Sequence, residues 1–302
     1  MHSIGRTVSN RMIARVLIAL VGGLTAAFVA VQIVAAQTPT QPPPMLPDRH
    51  KEAPRHVKTV GPASNTASVE QDAPDIVGGE IAEEGAWPWQ VALVQPGQPN
   101  AYYGQYCGGS LIAPNWVLTA AHCVDGLPNA PGMLDVLMGQ NVLSADNGTR
   151  TPVDLIIIHP DYSTFALDAD LALLRLASPS DQTTVSLDMP DDENLAEQAT
   201  MATVIGWGRY IPVLPLPSDE LRQVELPLVP REICGSDQAW GSLITENMIC
   251  AGYDEGDRSA CYGDSGGPLM VPIENEPGWA QVGIVSWGAA GCTGYQRYNV
   301  YT

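Results

Sequence analysis

Beyond residue 76 the chain never sustains an apolar repeat of helical period. Short apolar runs of four to seven residues instead alternate with turn-forming residues: Trp89–Val94, Ser110–Ala113, Trp116–Thr119, Met133–Met138, Val153–Ile158, Leu171–Leu176, Met201–Ile205, Gln223–Leu228, Pro268–Val271 and Gln281–Trp287. Runs this short suit strands, which span a sheet in a few residues and present alternate side chains to opposite faces. Ten of them at this spacing predict an all-β sandwich or barrel. A Pro/Gly-rich stretch at 95–100 and Pro114-Asn115 turn the first two hairpins. Short helices are expected at Ala120–Val124 and near Pro230–Cys234. Gly and Pro, 29 and 26 residues, argue against a mostly helical protein.

Charge and cysteine usage divide the chain near residue 75. Residues 76–302 hold 28 Asp and Glu against seven Arg and no Lys, and all six cysteines. So acidic a body repels phosphate, which speaks against a nucleic-acid partner. Residues 1–36 read as an export device: Arg6, Arg11 and Arg15 precede an uncharged run from Val16 to Ala36, with small residues Val34-Ala35-Ala36 where a signal peptidase would cut. The run is also long enough to span a bilayer, so a retained membrane anchor is the rival reading. Residues 37–75 are Pro-rich and then polar, as in an extended pro-segment or linker that buries too little to repay its ordering. The bulk of the chain is thus expected outside the cytoplasm, secreted or periplasmic, where disulfides persist.

Three local patterns carry chemistry. Gly263-Asp264-Ser265-Gly266-Gly267-Pro268 sets a serine in a glycine-rich turn, where backbone N–H groups can converge with no side chain in the way. Thr119-Ala120-Ala121-His122-Cys123 places a histidine beside a cysteine. Asp170 lies among Ala169, Leu171, Ala172, Leu173 and Leu174, and a carboxylate in so apolar a run needs a partner. Singly, each reads as a turn, a packed histidine or a satisfied cap. Jointly they supply the nucleophile, base and orienting group of covalent acyl transfer.

With four further motifs, the chain resembles the trypsin/chymotrypsin-like serine proteases over residues 76–302. These are Ile76-Val77-Gly78-Gly79, Gly206-Trp207-Gly208, Ser286-Trp287-Gly288 and Val300-Tyr301-Thr302. The resemblance implies a double antiparallel β-barrel with the active site between the barrels. It implies Ser265 as nucleophile, His122 as base and then acid, Asp170 as the buried orienting group, and the N–H groups of Gly263 and Ser265 as an oxyanion hole. Six cysteines allow fifteen pairings; the resemblance selects Cys107–Cys123, Cys234–Cys250 and Cys261–Cys292. It also implies activation by cleavage before Ile76, whose new ammonium would pair with Asp264. Asp75 precedes that bond, so an activating protease of non-trypsin preference, or trimming after an upstream cut, is expected. Protein or peptide substrates are the other implied partners.

No cofactor or metal is expected: there is no CxxC motif, and His122 and His159 are the only histidines after residue 76. The resemblance implies a specificity pocket with Ser259 at its base and Ser286, Trp287, Gly288 and Asn299 on its walls. A neutral Ser259 predicts a pocket not specific for Arg or Lys. The chain ends at Val300-Tyr301-Thr302, where relatives usually continue into a helix, so that helix is expected to be lacking. The reading from a different class is a catalytically inactive, protease-like module that binds basic partners.

Overall fold

The computed structural model describes residues 77–187, 196, 200–211, 216–273 and 278–302, all within the compact unit Asp72–Thr302. The export segment, the linker and Ile76 lie outside the described residues. A two-residue strand, β1 (Glu80–Ile81), leads into six strands: β2 (Gln90–Val94), β3 (Gln105–Ala113), β4 (Trp116–Thr119), β5 (Asp135–Met138), β6 (Thr149–Ile158) and β7 (Ala172–Leu176). They close in the order β2-β3-β4-β7-β6-β5.

Six more follow: β8 (Met201–Gly206), β9 (Arg222–Val229), β10 (Ile249–Ala251), β11 (Pro268–Pro272), β12 (Trp279–Trp287) and β13 (Asn299–Tyr301). Their sheet runs β9-β10-β13-β12-β11-β8, and β8 pairs back onto β9 to close the ring. β1 attaches to β9 beside this ring. Every named ladder is antiparallel, and closure leaves each barrel without a free edge along most of its length. The fold is therefore an all-β double antiparallel barrel. β13 is the last element among the described residues.

The period-2 pattern explains which faces meet. β4 and β7 alternate between buried and part-exposed positions, while β2 is buried at all five of its residues. Val91, Leu93, Leu111, Val117, Val136 and Leu174 pack the first barrel; Val204, Leu226, Leu228, Leu269, Val271 and Val285 pack the second. Each such side chain contributes about 1.5–3 kcal/mol when taken out of water. Ile205, Trp207, Met270 and Ile284 of the second half join the first barrel's cluster. The barrels thus share one apolar seam, crossed by a buried hydrogen bond from Ser110 Oγ to Gln281 Oε1 (2.5 Å).

Two short helices do appear, a 3₁₀ turn at Ala121–Cys123 and an α-turn at Arg231–Cys234. Another short helix, Ala101–Gly104, lies between β2 and β3, so their connection is longer than the 95–100 stretch. Cystines join Cys107 to Cys123, Cys234 to Cys250 and Cys261 to Cys292. Among the described residues no helix is long and apolar enough to cross a membrane.

Candidate active site

The first barrel contributes His122 and Asp170. Thr119, the last residue of β4, donates its hydroxyl to Gly108 O (2.8 Å), and the Cys107–Cys123 bridge ties the next turn to β3. His122 sits inside that turn, held from both sides. Its backbone N–H donates to Asp170 Oδ1 (2.8 Å), and its Nδ1 lies 2.7 Å from Oδ2. A carboxylate only accepts, so Nδ1 carries a proton, an arrangement that in the neutral ring leaves the Nε2 lone pair free. Asp170 is fully buried while the imidazole is 25% exposed. The buried partner can therefore orient the ring, and the exposed one can react.

A third donor to Asp170 comes from across the seam. Ser286, on β12 of the second barrel, places its hydroxyl 2.5 Å from Asp170 Oδ2. The sequence reading put Ser286 only on a pocket wall. It does line the cleft, but its hydroxyl serves the carboxylate. No spacing in the sequence links positions 170 and 286, which is why the bond was invisible there.

The second barrel contributes Ser265 and the turn around it. Asp264 Oδ1 accepts from Gly208 N–H (2.7 Å) and Oδ2 from Cys261 N–H (2.8 Å). The carboxylate fills the space beside two glycines: a Cβ at Gly206 would lie 3.0 Å from its Cγ, and one at Gly208 2.5 Å. That crowding accounts for the Gly206-Trp207-Gly208 motif. Complete burial pushes the Asp264 carboxyl up to about 6, against the lowering pull of the two N–H donors.

The neighbouring peptides are also anchored. Tyr262 O accepts from Arg209 N–H (2.9 Å), and Asp264 O accepts from Gly267 N–H (2.9 Å). In a trans peptide the N–H points opposite to the carbonyl. Tying these two carbonyls turns the N–H groups of Gly263 and Ser265 the other way. Gly263 adopts φ +102°, favoured by its lack of a Cβ, and its own carbonyl accepts from Gln105 Nε2 (2.8 Å). The Ser265 carbonyl accepts from Gly108 N–H of the first barrel (2.7 Å). Gln105 and Arg209 were not singled out from sequence, because their roles depend on barrel closure.

His122, Gly263 and Ser265 line one cleft of about 560 Å³ with Leu167, Trp287 and Asn299. Gly288 lines it as well, whereas Ser259 does not. The Ser259 hydroxyl turns into the wall and donates to Ala260 O (2.5 Å). Asn299 takes the inner position: its Oδ1 accepts from Ala260 N–H (2.9 Å), and its Nδ2 would lie 2.7 Å from a Cβ on Gly288. The carboxamide therefore bridges two walls of the cleft. The nearest grouping of metal-type atoms among the described residues is Cys107, His122 and Cys123, and both sulfurs are consumed in a disulfide.

The trypsin protein-family model matches residues 76–302. The chain is 35% identical over 237 residues to a mouse (Mus musculus) protein named tryptase, a match covering 75% of this chain and 84% of that protein. This finding overturns one expectation, that of a pocket not specific for Arg or Lys, because kinship to a tryptase points to those residues instead. The physical source of the error is Ser259. Its neutrality was taken as the character of the pocket base, yet it faces away from the cleft.

Proposed function

The chain belongs to the trypsin family of serine proteases, and on that premise we propose that it is an exported endopeptidase, made as a precursor, that cuts protein and peptide chains with Ser265. The observation that carries this reading is the shared cleft: His122, paired with the buried Asp170, opens onto the same cavity as Ser265. Ser265 Oγ attacks the scissile carbonyl carbon while His122 Nε2 takes its proton. His122 then returns the proton to the leaving amine, and water repeats the attack to release the acyl group. Asp170 holds Nδ1 protonated and stabilises the imidazolium. The N–H groups of Gly263 and Ser265 bind the oxyanion, and losing one such donor costs about 3–4 kcal/mol at the transition state.

Residues 1–36 serve export in this reading, 37–75 form the pro-segment, and 76–302 the protease. Cleavage after Asp75 frees the Ile76 ammonium, which pairs with the buried Asp264 carboxylate and fixes the turn bearing Gly263. Such a pair requires both charges to repay desolvation. For the residue before the scissile bond, the tryptase kinship supports Arg or Lys. No carboxylate lines the cleft among the described residues. Attraction for a cation then comes from the surrounding acidic domain, and added salt weakens it.

A fluorophosphonate probe tests the chemistry on protein processed to Ile76. Wild type should label and Ser265→Ala should not; a folded, processed wild type that stays unlabelled overturns the proposal. Profiling with a peptide library at low and high salt tests the specificity. A preference for uncharged residues at both salt levels would refute the Arg/Lys reading.

A further inference from the structure

The segment entering Asp170 is held in a backbone conformation that its residue types disfavour. Leu167 and Ala169 both have φ +49°, in the left-handed region where a Cβ crowds the following carbonyl. Such geometry persists only where the surroundings over-determine it, and it gathers at functional sites. Here the surroundings belong to the other barrel. Asp168, between the two strained residues, accepts at Oδ1 from Thr245 Oγ1 (2.6 Å). Asn247 Nδ2 lies 3.2 and 3.3 Å from its two carboxylate oxygens.

The turn that carries these donors is itself pinned. The Arg231 guanidinium donates to the carbonyls of Thr245 and Glu246. On the near side, the Asp168 carbonyl accepts from Ser163 N–H (3.0 Å), which closes the loop onto itself. The Thr245 hydroxyl, with Asn247, holds the Asp168 carboxyl below its ordinary range, consistent with an ionised anchor. Two residues within two positions of it belong to the site: Leu167, which lines the cleft, and Asp170, which pairs with His122.

We infer that Asp168 is an inter-barrel positioning residue, clamped by Thr245 and Asn247 so that Leu167 forms a cleft wall and Asp170 meets His122. The inference rests on the protease reading above. It extends that reading to the recognition of peptide beyond the residue in the pocket, and assigns the Leu167 wall of the cleft to that longer substrate. Thr245 and Asn247 never touch the reacting groups, yet they act on them through Asp168.

The test compares wild type, Asp168→Ala, Asp168→Asn and the pair Thr245→Val/Asn247→Ala, all processed to Ile76. Asp168→Ala is expected to raise KM tenfold or more for an extended peptide. It should change KM less than twofold for a single-residue ester. The Thr245/Asn247 pair should reproduce this split, and adding it to Asp168→Ala should cause little further loss, since both remove one clamp. Asp168→Asn, which retains one acceptor for Thr245, should recover part of the effect. Equal KM changes on both substrates, or a lowered Tm with unchanged kinetics, would overturn the inference. If wild type fails to label with fluorophosphonate, the protease reading fails instead. The clamp is then read by proton NMR: Asp168→Ala should broaden or shift the low-field His122 Nδ1 proton, and an unchanged resonance overturns the inference.

Discussion

Asp264 offers a measurable link between burial and the proposed activation. In the intact chain Ile76 is in peptide linkage and has no ammonium to offer, while the carboxyl is fully buried and raised from 3.8 to about 6. A carboxyl raised on folding leaves its stabilisation intact below the unfolded value and loses it as pH climbs through the folded one. The window is therefore pH ~3.8 to ~6. At 1.36 kcal/mol per pH unit, keeping the charge inside costs about 3 kcal/mol above that window. For a domain this size, with about 2–4 °C per kcal/mol, that corresponds to roughly 6–12 °C in Tm.

The perturbation that isolates this cost is Asp264→Asn in the intact chain. Asn carries one oxygen for the two N–H groups of Gly208 and Cys261, so the variant starts with a fixed deficit, of about 1–3 kcal/mol for the unpaired donor. That deficit does not titrate. Tyr301, pushed up by burial and then by the nearby Asp264 charge, stays neutral throughout the range and adds no slope. Tm should be measured for both proteins from pH 3.5 to 7.5. The difference, wild type minus variant, should fall by several degrees as pH rises, and after processing to Ile76 the fall should shrink or reverse. Parallel curves for the intact pair would show that the carboxyl is not held against its charge. Identical behaviour before and after processing would refute the pairing with Ile76.

Asp170→Asn should keep the fold yet favour the wrong His122 tautomer, lowering kcat by ~10⁴, a magnitude taken from the general Ser-His-Asp template; kcat within tenfold of wild type would reject the assignment. Ser286→Ala should lower kcat far less, because it removes one of the three donors on Asp170 and leaves the imidazole contact in place. Replacing Cys107 and Cys123 by Ala opens a loop with a sequence separation of 16, so denaturant unfolding should show a loss of about 3 kcal/mol. With 28 carboxylates against seven Arg in residues 76–302, Tm should rise by several degrees between 0.02 and 1 M NaCl; a flat curve would mean the charges are too dispersed to matter.

The strands that repeat their pattern for four residues or more were legible in the sequence, because alternation needs that length to show. β1, β10 and β13 have two or three residues each and carry no period, although Val300-Tyr301 stood out as part of a motif. Barrel closure was not legible at all from periodicity: β8 meets β9 through residues 201–206 and 222–227, and nothing in either run names the other. In the site, Asp170 was conspicuous as a charge among leucines. Its Ser286 donor was hidden, because a hydroxyl on a strand has many innocuous explanations. Ser259 misled for the opposite reason, since position along the chain says nothing of the direction a side chain faces.

The seam between the barrels has a consequence for how this protein tolerates change. Stability is spread over two packed interiors and the apolar seam they share, so the loss of a single polar bond across the boundary subtracts little from it. In the proposed mechanism turnover depends on a few bonds that straddle the boundary, Ser286 to Asp170 and Gly108 to Ser265 among them, and it responds exponentially to their alignment. Substitutions along this boundary should therefore yield proteins that express, fold and melt normally while working slowly. A survey that scores abundance alone would pass over them.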